Sequence, residues 1–353
     1  MEYNVLFIAI DILLFVLLGL WITIGFSLKY RKRKTAQLQK IEGVFAEETS
    51  KYLYPLPGEE PDLIEIQRAF RNAGVLRKKP RNVQYMIDLM IRSQRSLLGS
   101  NYDKLGLLFQ QIPPFRASIN KLNSKKWYVK ARGIREIYEM DQEQHIKRLI
   151  RERNNKNIYV RREAQIAMVI FLGWGSLRFL PYLKREMMLW QQIKIVEKLH
   201  DLYPVPELKY LRKAYRAQRP YAQELTMRII RKFDLDSEVD YILSFLDHEN
   251  FDRRETAIYC ISSFDLNQQR LEQVKDCFFR IPNTEQQVQL LKYIHRISAM
   301  TELDFFKQVL LKGNDILKLS TAEILWNGGY KKEVQEFYYQ QYAAQPIEDK
   351  LEW

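Results

Sequence analysis

The residue types that carry acid–base, nucleophilic or metal chemistry are sparse and scattered in this chain. Its four histidines, His145, His200, His248 and His295, are far apart, and none sits in an H-E-x-x-H or Cys/His ligand spacing. Two cysteines, Cys260 and Cys277, are too few for a disulfide framework, and a cytoplasmic setting would keep them reduced. There is no G-x-x-x-x-G-K-[ST] phosphate loop, no G-x-G-x-x-G after a strand and no G-x-S-x-G elbow. Gly173-Trp174-Gly175 and Gly328-Gly329 fall where helices should end, the ordinary place for glycine. This pattern assigns no catalytic residue, no cofactor, no metal site and no small-molecule substrate, and the chain reads as a non-enzyme.

What remains is the chemistry of charge. The net charge is +13, and Lys and Arg are in excess up to about residue 219, whereas Asp and Glu predominate beyond it. Two clusters stand out: Arg31, Lys32, Arg33 and Lys34, and Arg77, Lys78, Lys79 and Arg81. Such clusters gain about 1 kcal/mol per cation near anionic lipid headgroups, and they would equally attract an acidic protein or nucleic acid. Arg68, Arg71, Arg92 and Arg95 thicken the second cluster. Further on, the pairs Arg161-Arg162 and Arg253-Arg254 could point into a groove and hold an acidic ligand, or could bond neighbouring helices.

The first cluster follows an apolar run. Val5 to Leu28 is nearly unbroken and, as a helix, reaches about 36 Å, enough to cross a hydrocarbon core of about 30 Å. Lys and Arg flank it on one side only, which places the N-terminus outside and the rest of the chain in the cytoplasm. A cleaved signal peptide would have the opposite charge order and a small-residue cleavage site. Inside the run, Asp11 is costly, about 2.5–3.5 kcal/mol at a bilayer centre. Gly19, Thr23 and Ser27 continue its four-residue spacing as a ridge of small residues. Together these four predict a lateral partner packed against the helix within the membrane. The alternative for Asp11 is a protonated or wet carboxyl.

Beyond the anchor the chain repeats. Tyr128-Val129-Lys130-Ala131-Arg132-Gly133-Ile134, Tyr159-Val160-Arg161-Arg162-Glu163-Ala164 and Asp252-Arg253-Arg254-Glu255-Thr256-Ala257 align. Equivalent positions fall at Gly133, Ala164, Ile195, Leu225, Thr256, Val288 and Leu319, a steady step of 30–32 residues. Each period holds two helical patterns. One set covers residues 127–140, 158–172, 189–202, 219–233, 251–264, 284–298 and 315–326. The alternate set covers 145–153, 176–186, 206–217, 237–248, 269–280, 302–312 and 331–342. Pro206, Pro220 and Pro282 mark helix starts, and Asn283 and Asn314 supply N-cap chemistry. No stretch alternates as a strand does.

Asn157-Ile158-Tyr159-Val160-Arg161-Arg162-Glu163-Ala164 resembles the start of the second helix of a HEAT repeat, where a Val-Arg pair precedes a small residue. Around Ile195, Val288 and Leu319 that Arg is missing. More narrowly, the layout resembles a group of bacterial single-pass, membrane-anchored HEAT-repeat proteins. Lys126-Trp127, Val160-Arg161-Arg162-Glu163-Ala164-Gln165 and Trp190-Gln191-Gln192 carry that likeness. The resemblance implies a cytoplasmic HEAT array and an association with membrane-embedded polysaccharide synthases.

The fold expected is therefore all-α, an N-terminal transmembrane helix followed by a HEAT-like α-solenoid of about seven helix pairs. Residues 1–34 form the anchor with its basic flank, 35–61 a linker, 62–123 a helical N-terminal cap, 124–345 the repeats and 346–353 a tail. The expected role is a scaffold or adaptor at the inner (cytoplasmic) membrane. Its partners would be proteins, foremost an integral membrane protein, with anionic headgroups as a further contact. A basic HEAT-like nucleic-acid-binding protein is the alternative, disfavoured by the anchor and the acidic distal third.

Overall fold

The computed structural model describes residues 2–58, 60–298 and 302–342; the side chains of 2–13 and 340–342 lie outside that description, as does the tail at 346–353. Among the described residues the protein is all-helical, with 18 α-helices and no strand. The chain divides into two compact units, Met1–Phe171 and Leu172–Trp353.

The first unit is organised by helix α1, Glu2–Leu53. At 1.5 Å per residue it runs about 78 Å without a break. Its two halves have opposite surroundings. Leu14 to Leu28 is exposed throughout, with Phe15 at 79%, Trp21 at 77% and Phe26 at 71%. Ile41, Phe45 and Leu53 are buried in a core with Ile66, Phe70, Met86, Met90, Leu105 and Phe109. Residues 35–53, read from sequence as the beginning of a linker, are thus helix, and the break comes at Tyr54 to Pro61, where prolines and Gly58 interrupt the chain. Each fully buried Ile, Leu or Phe of this core contributes about 1.5–3 kcal/mol, so the inner half of α1 is held by the body while the outer half is left bare.

Helices α2 (Leu63–Asn72), α3 (Pro80–Ser96) and α4 (Ser100–Gln111) pack on α1. Asp62 caps α2 through the backbone N–H of Ile64 at 2.7 Å, and Pro80 opens α3 at its first turn. Helices α5 (Pro113–Leu122) and α6 (Trp127–Glu139) form the tightest pair, because Gly133 lets them approach. A Cβ at Gly133 would lie 2.6 Å from Cβ of Lys121. Helix α7 (Ile146–Arg151) is short, and α8 (Ile158–Leu172) is a core helix with Val160, Ala164, Ala167, Met168 and Val169 buried. The apolar stretch Ile158–Tyr182 has hydropathy like that of α1, but most of it is buried within the protein.

The second unit opens with a 3-10 segment, Gly173–Tyr182, where a helix at 176–186 was expected; Pro181 stops an α-helix from forming there. It continues with α9 (Leu189–Leu202), α10 (Leu208–Ala214), α11 (Pro220–Lys232), α12 (Val239–Leu243), α13 (Phe251–Ile261), α14 (Gln268–Phe278), α15 (Thr284–Ser298), α16 (Leu303–Lys312), α17 (Asp315–Asn327) and α18 (Lys331–Tyr342). Helix α9 packs on α11, α11 on α13, α13 on α15 and α15 on α17. The intervening helices lean on this series, as α14 does on α15 and α16 on α17. Asn250, Asn267 and Asn314 each cap a helix by accepting the N–H three residues on, at 3.0–3.1 Å.

Candidate functional site

A groove of about 1490 Å³ crosses the first unit, walled by α2, α3, α5 and the loop between α2 and α3. Leu76, Phe115 and Ile119 contribute an apolar floor, and Arg71, Arg77, Arg81, Arg116, Lys121 and Arg132 line it with basic side chains. No Asp or Glu lines it. Arg77, Arg116 and Arg132 are exposed and form no ion pair with a described residue. Of the sequence-derived basic residues, Arg77 and Arg81 line the groove, whereas Lys78 and Lys79 are exposed beside it. Arg31, Lys32, Arg33 and Lys34 are exposed on α1.

The groove is anchored to α1 by specific bonds. Nη1 of Arg81 donates to the Tyr30 hydroxyl at 2.9 Å. Nε2 of Gln37 donates to the Ala73 carbonyl at 2.6 Å, and the Tyr85 hydroxyl to Glu42 at 3.2 Å. Gly74, with φ +86°, turns the chain under Gln37, and a side chain there would strike the Gln37 amide at 2.9 Å.

Behind the groove lies a buried polar cluster. Glu136 is 2% exposed and accepts from Lys121 at 2.6 Å, Ser118 at 2.6 Å and Gln84 at 3.0 Å. Burial pushes the Lys121 ammonium below its ordinary value, against the opposing pull of Glu136. Lys121 is therefore committed to Glu136 and is not a free cation of the groove. Arg95 is likewise neutralised, by Glu139 at 2.5 Å.

Of the small-residue ridge expected on α1, three positions have described side chains. Gly19, Thr23 and Ser27 are exposed, and nothing described lies within 4 Å of where a Gly19 Cβ would be. The Thr23 hydroxyl bonds back to the Gly19 carbonyl. The Asp11 side chain lies outside the described residues.

Of the four arginines expected at a ligand groove, Arg161 and Arg254 are buried within their own units. Arg161 is 6% exposed and Arg254 3%. Arg161 donates from Nη1 to the Asn155 carbonyl at 2.9 Å, and Arg254 from Nη1 to the His248 carbonyl at 2.6 Å. Each guanidinium ties its helix to the loop six residues before it. Arg162 pairs with Glu163 at 2.7 Å, and Arg253 contacts the His248 ring at 2.9 Å. A buried guanidinium must satisfy its donors; the loop carbonyls take the Nη1 N–H of each, and the Gln286 side chain accepts from Nε of Arg254.

A second depression, of about 770 Å³, lies wholly in the second unit on α9, α11, α13 and α15. Leu189, Ile193 and Tyr259 are exposed on it beside Arg228, Arg231 and Lys232, with Glu197 and Glu255 at its margin. The Arg231 guanidinium stacks 3.7 Å from the Tyr259 ring centroid. An exposed aromatic patch occurs in the first unit, where Trp127 stacks on Tyr159 at 4.8 Å and Tyr128 meets Trp127 edge-on. Neither patch was found from sequence. Their residues are one or two per repeat, and only the packing of successive helices assembles them.

Among the described residues no group of three or more His, Cys, Asp or Glu could hold a metal ion. Cys260 is buried, and burial pushes its thiol up to about 12; Cys277 is half-buried and is raised by burial too. No protein-family model and no curated protein matches the chain.

Proposed function

We propose that this chain is a membrane-anchored scaffold. In this reading α1 crosses a bacterial inner membrane once, with its N-terminus outside, and the helical body sits in the cytoplasm and binds protein. The observation that carries it is the contrast within α1. Its apolar half is bare from Leu14 to Leu28, and the same helix is buried at Ile41 and Phe45. Leaving that many large apolar side chains in water would be unfavourable, and a bilayer relieves it. The cations Arg31 to Lys34 set the orientation by the positive-inside rule.

A HEAT-like solenoid is supported by the 30–32-residue step and by the packing of each major helix of the second unit on the next but one. Arg161 and Arg254, tied to their preceding loops, fit that architecture. The depression bearing Leu189, Ile193, Tyr259 and Arg231 is the partner surface, and it suits a segment with apolar and acidic side chains. The likeness to membrane-anchored HEAT proteins makes the partner a membrane-embedded polysaccharide synthase, with the Gly19, Thr23 and Ser27 ridge as a second contact within the bilayer.

The test is photo-cross-linking in native membranes. Full-length protein carrying a photoreactive amino acid at Leu189 or Tyr259 should give adducts with an integral membrane protein. Removing the apolar half of α1 should abolish them. Adducts confined to nucleic acid, or adducts unchanged without the anchor, would contradict the reading.

A further inference from the structure

We propose that the basic groove of the first unit holds the phosphate headgroup of an anionic lipid drawn from the leaflet that α1 enters. The proposal rests on α1 being a membrane anchor and names the ligand that anchoring brings within reach. Three independent observations converge on it.

The first is height. The apolar run ends at Leu28, and Tyr30 follows about 3 Å further along the helix axis. The headgroup layer is about 5–8 Å deep on each side of a bilayer. Arg81 hydrogen-bonds the Tyr30 hydroxyl, so its guanidinium lies within that layer. Gln37 fixes the Ala73 carbonyl about 10 Å deeper into the cytoplasm. The α2–α3 loop, with Arg77, spans the interval between these two ties.

The second is charge. Arg77, Arg116 and Arg132 converge on the groove with no ion-pair partner among the described residues, and no carboxylate lines it. Of the other cations near them, Lys121 in the groove wall is neutralised by Glu136, and Arg95 on α3 by Glu139. Guanidinium forks present paired N–H donors at the spacing of phosphate oxygens.

The third is the floor. Leu76, Phe115 and Ile119 make it apolar, while Gln67 and Asn120 add neutral hydrogen-bonding groups. A phosphate carried on glycerol and the first methylenes of an acyl chain matches both halves. Inorganic phosphate would leave the floor unused. Nucleic acid would find no exposed aromatic platform here, since Phe115 is half-buried against Phe109 and His145.

The experiment uses the full-length protein in detergent micelles. Native mass spectrometry measures retention of phosphatidylglycerol against phosphatidylcholine, both added at equal concentration. The wild type should retain phosphatidylglycerol roughly 20-fold more. The double variant R116Q/R132Q should fall to within about twofold, since each cation near a headgroup is worth about a fivefold change. R185Q/K198Q, which changes cations of the other unit, should match the wild type. Circular dichroism melting checks that each variant is folded, and R77Q serves if the double variant is not. Glycerol 1-phosphate in place of lipid should bind at least ~100-fold more weakly. Equal binding would overturn the lipid assignment in favour of a soluble phosphate, and equal lipid retention by wild type and double variant would overturn the groove itself. Carbonate extraction of membranes separates this from the anchor. If the wild type leaves the pellet, the anchor reading fails; if it stays while retention ignores the groove, only the groove proposal fails.

Discussion

Arg81 donates a hydrogen bond to the hydroxyl of Tyr30 across 51 positions of the chain, joining the start of α3 to the point where α1 emerges from its apolar run. With Gln37 bound to Ala73 and Glu42 to Tyr85, it ties the helical body to α1 at three points over about three turns. The apolar and buried halves of α1 are one continuous helix within the first unit. A flexible linker would leave the groove free to move relative to the apolar half of α1; a continuous helix joins the two.

Glu136 and Lys121 form a buried pair, and removing one partner should cost more than removing both. E136L leaves an ammonium in low-dielectric surroundings and should destabilise the protein by about 3 kcal/mol. The double change E136L/K121M should recover most of that loss. Thermal melts of the two singles and the double give the coupling directly, and additive effects would show that the pair is not a unit.

Arg254 should matter far more than its neighbour. R254A removes bonds to the His248 carbonyl and to Gln286 and leaves the loop acceptors unsatisfied, a loss of about 2–4 kcal/mol. R253A should cost less than about 1 kcal/mol, because its contact is a partly exposed His248 ring. Denaturant titration of the two variants checks the order. If Arg253 proves the costlier position, the loop-holding role of Arg254 is wrong.

His145 gives a pH signature. Burial, with Arg148 adding a smaller push, lowers its folded pKa below the unfolded value of 6.5. A group lowered in this way favours folding fully above 6.5, and the benefit is lost as pH falls through the depressed value, because the unfolded chain takes up the proton first. The melting temperature of the wild type should therefore drop between pH 7.5 and 5.5. H145L should show a shallower drop. Parallel pH profiles for the two proteins would exclude His145 as the source.

Much of the architecture was legible because apolar spacing and helix caps speak locally. The helices at 158–172, 189–202 and 284–298 have the bounds their periodicity predicts. Proline at 181 carries the reason one expected helix became a 3-10 segment, although only the structure shows its extent. The inner half of α1 was missed because Thr35 to Lys40 is polar and reads as a tether. Yet Ile41, Phe45, Thr49 and Leu53 recur every four residues, and all four are buried. The groove was half legible. Arg77 and Arg81 stood out as a run, but Arg116 and Arg132 sit on α5 and α6 with no local pattern. It is the close crossing allowed by Gly133 that brings those two helices together.

The depth of the groove tests the account most directly. A bimane attached at K78C, beside Arg77 and Arg81, and another at E47C, about 28 Å along α1 from Leu28, are compared in vesicles containing a lipid with a headgroup nitroxide. A groove held at the headgroup layer gives strong quenching at position 78 and little at position 47. Equal quenching at both, or none at 78, would contradict the placement of this body on a membrane by α1.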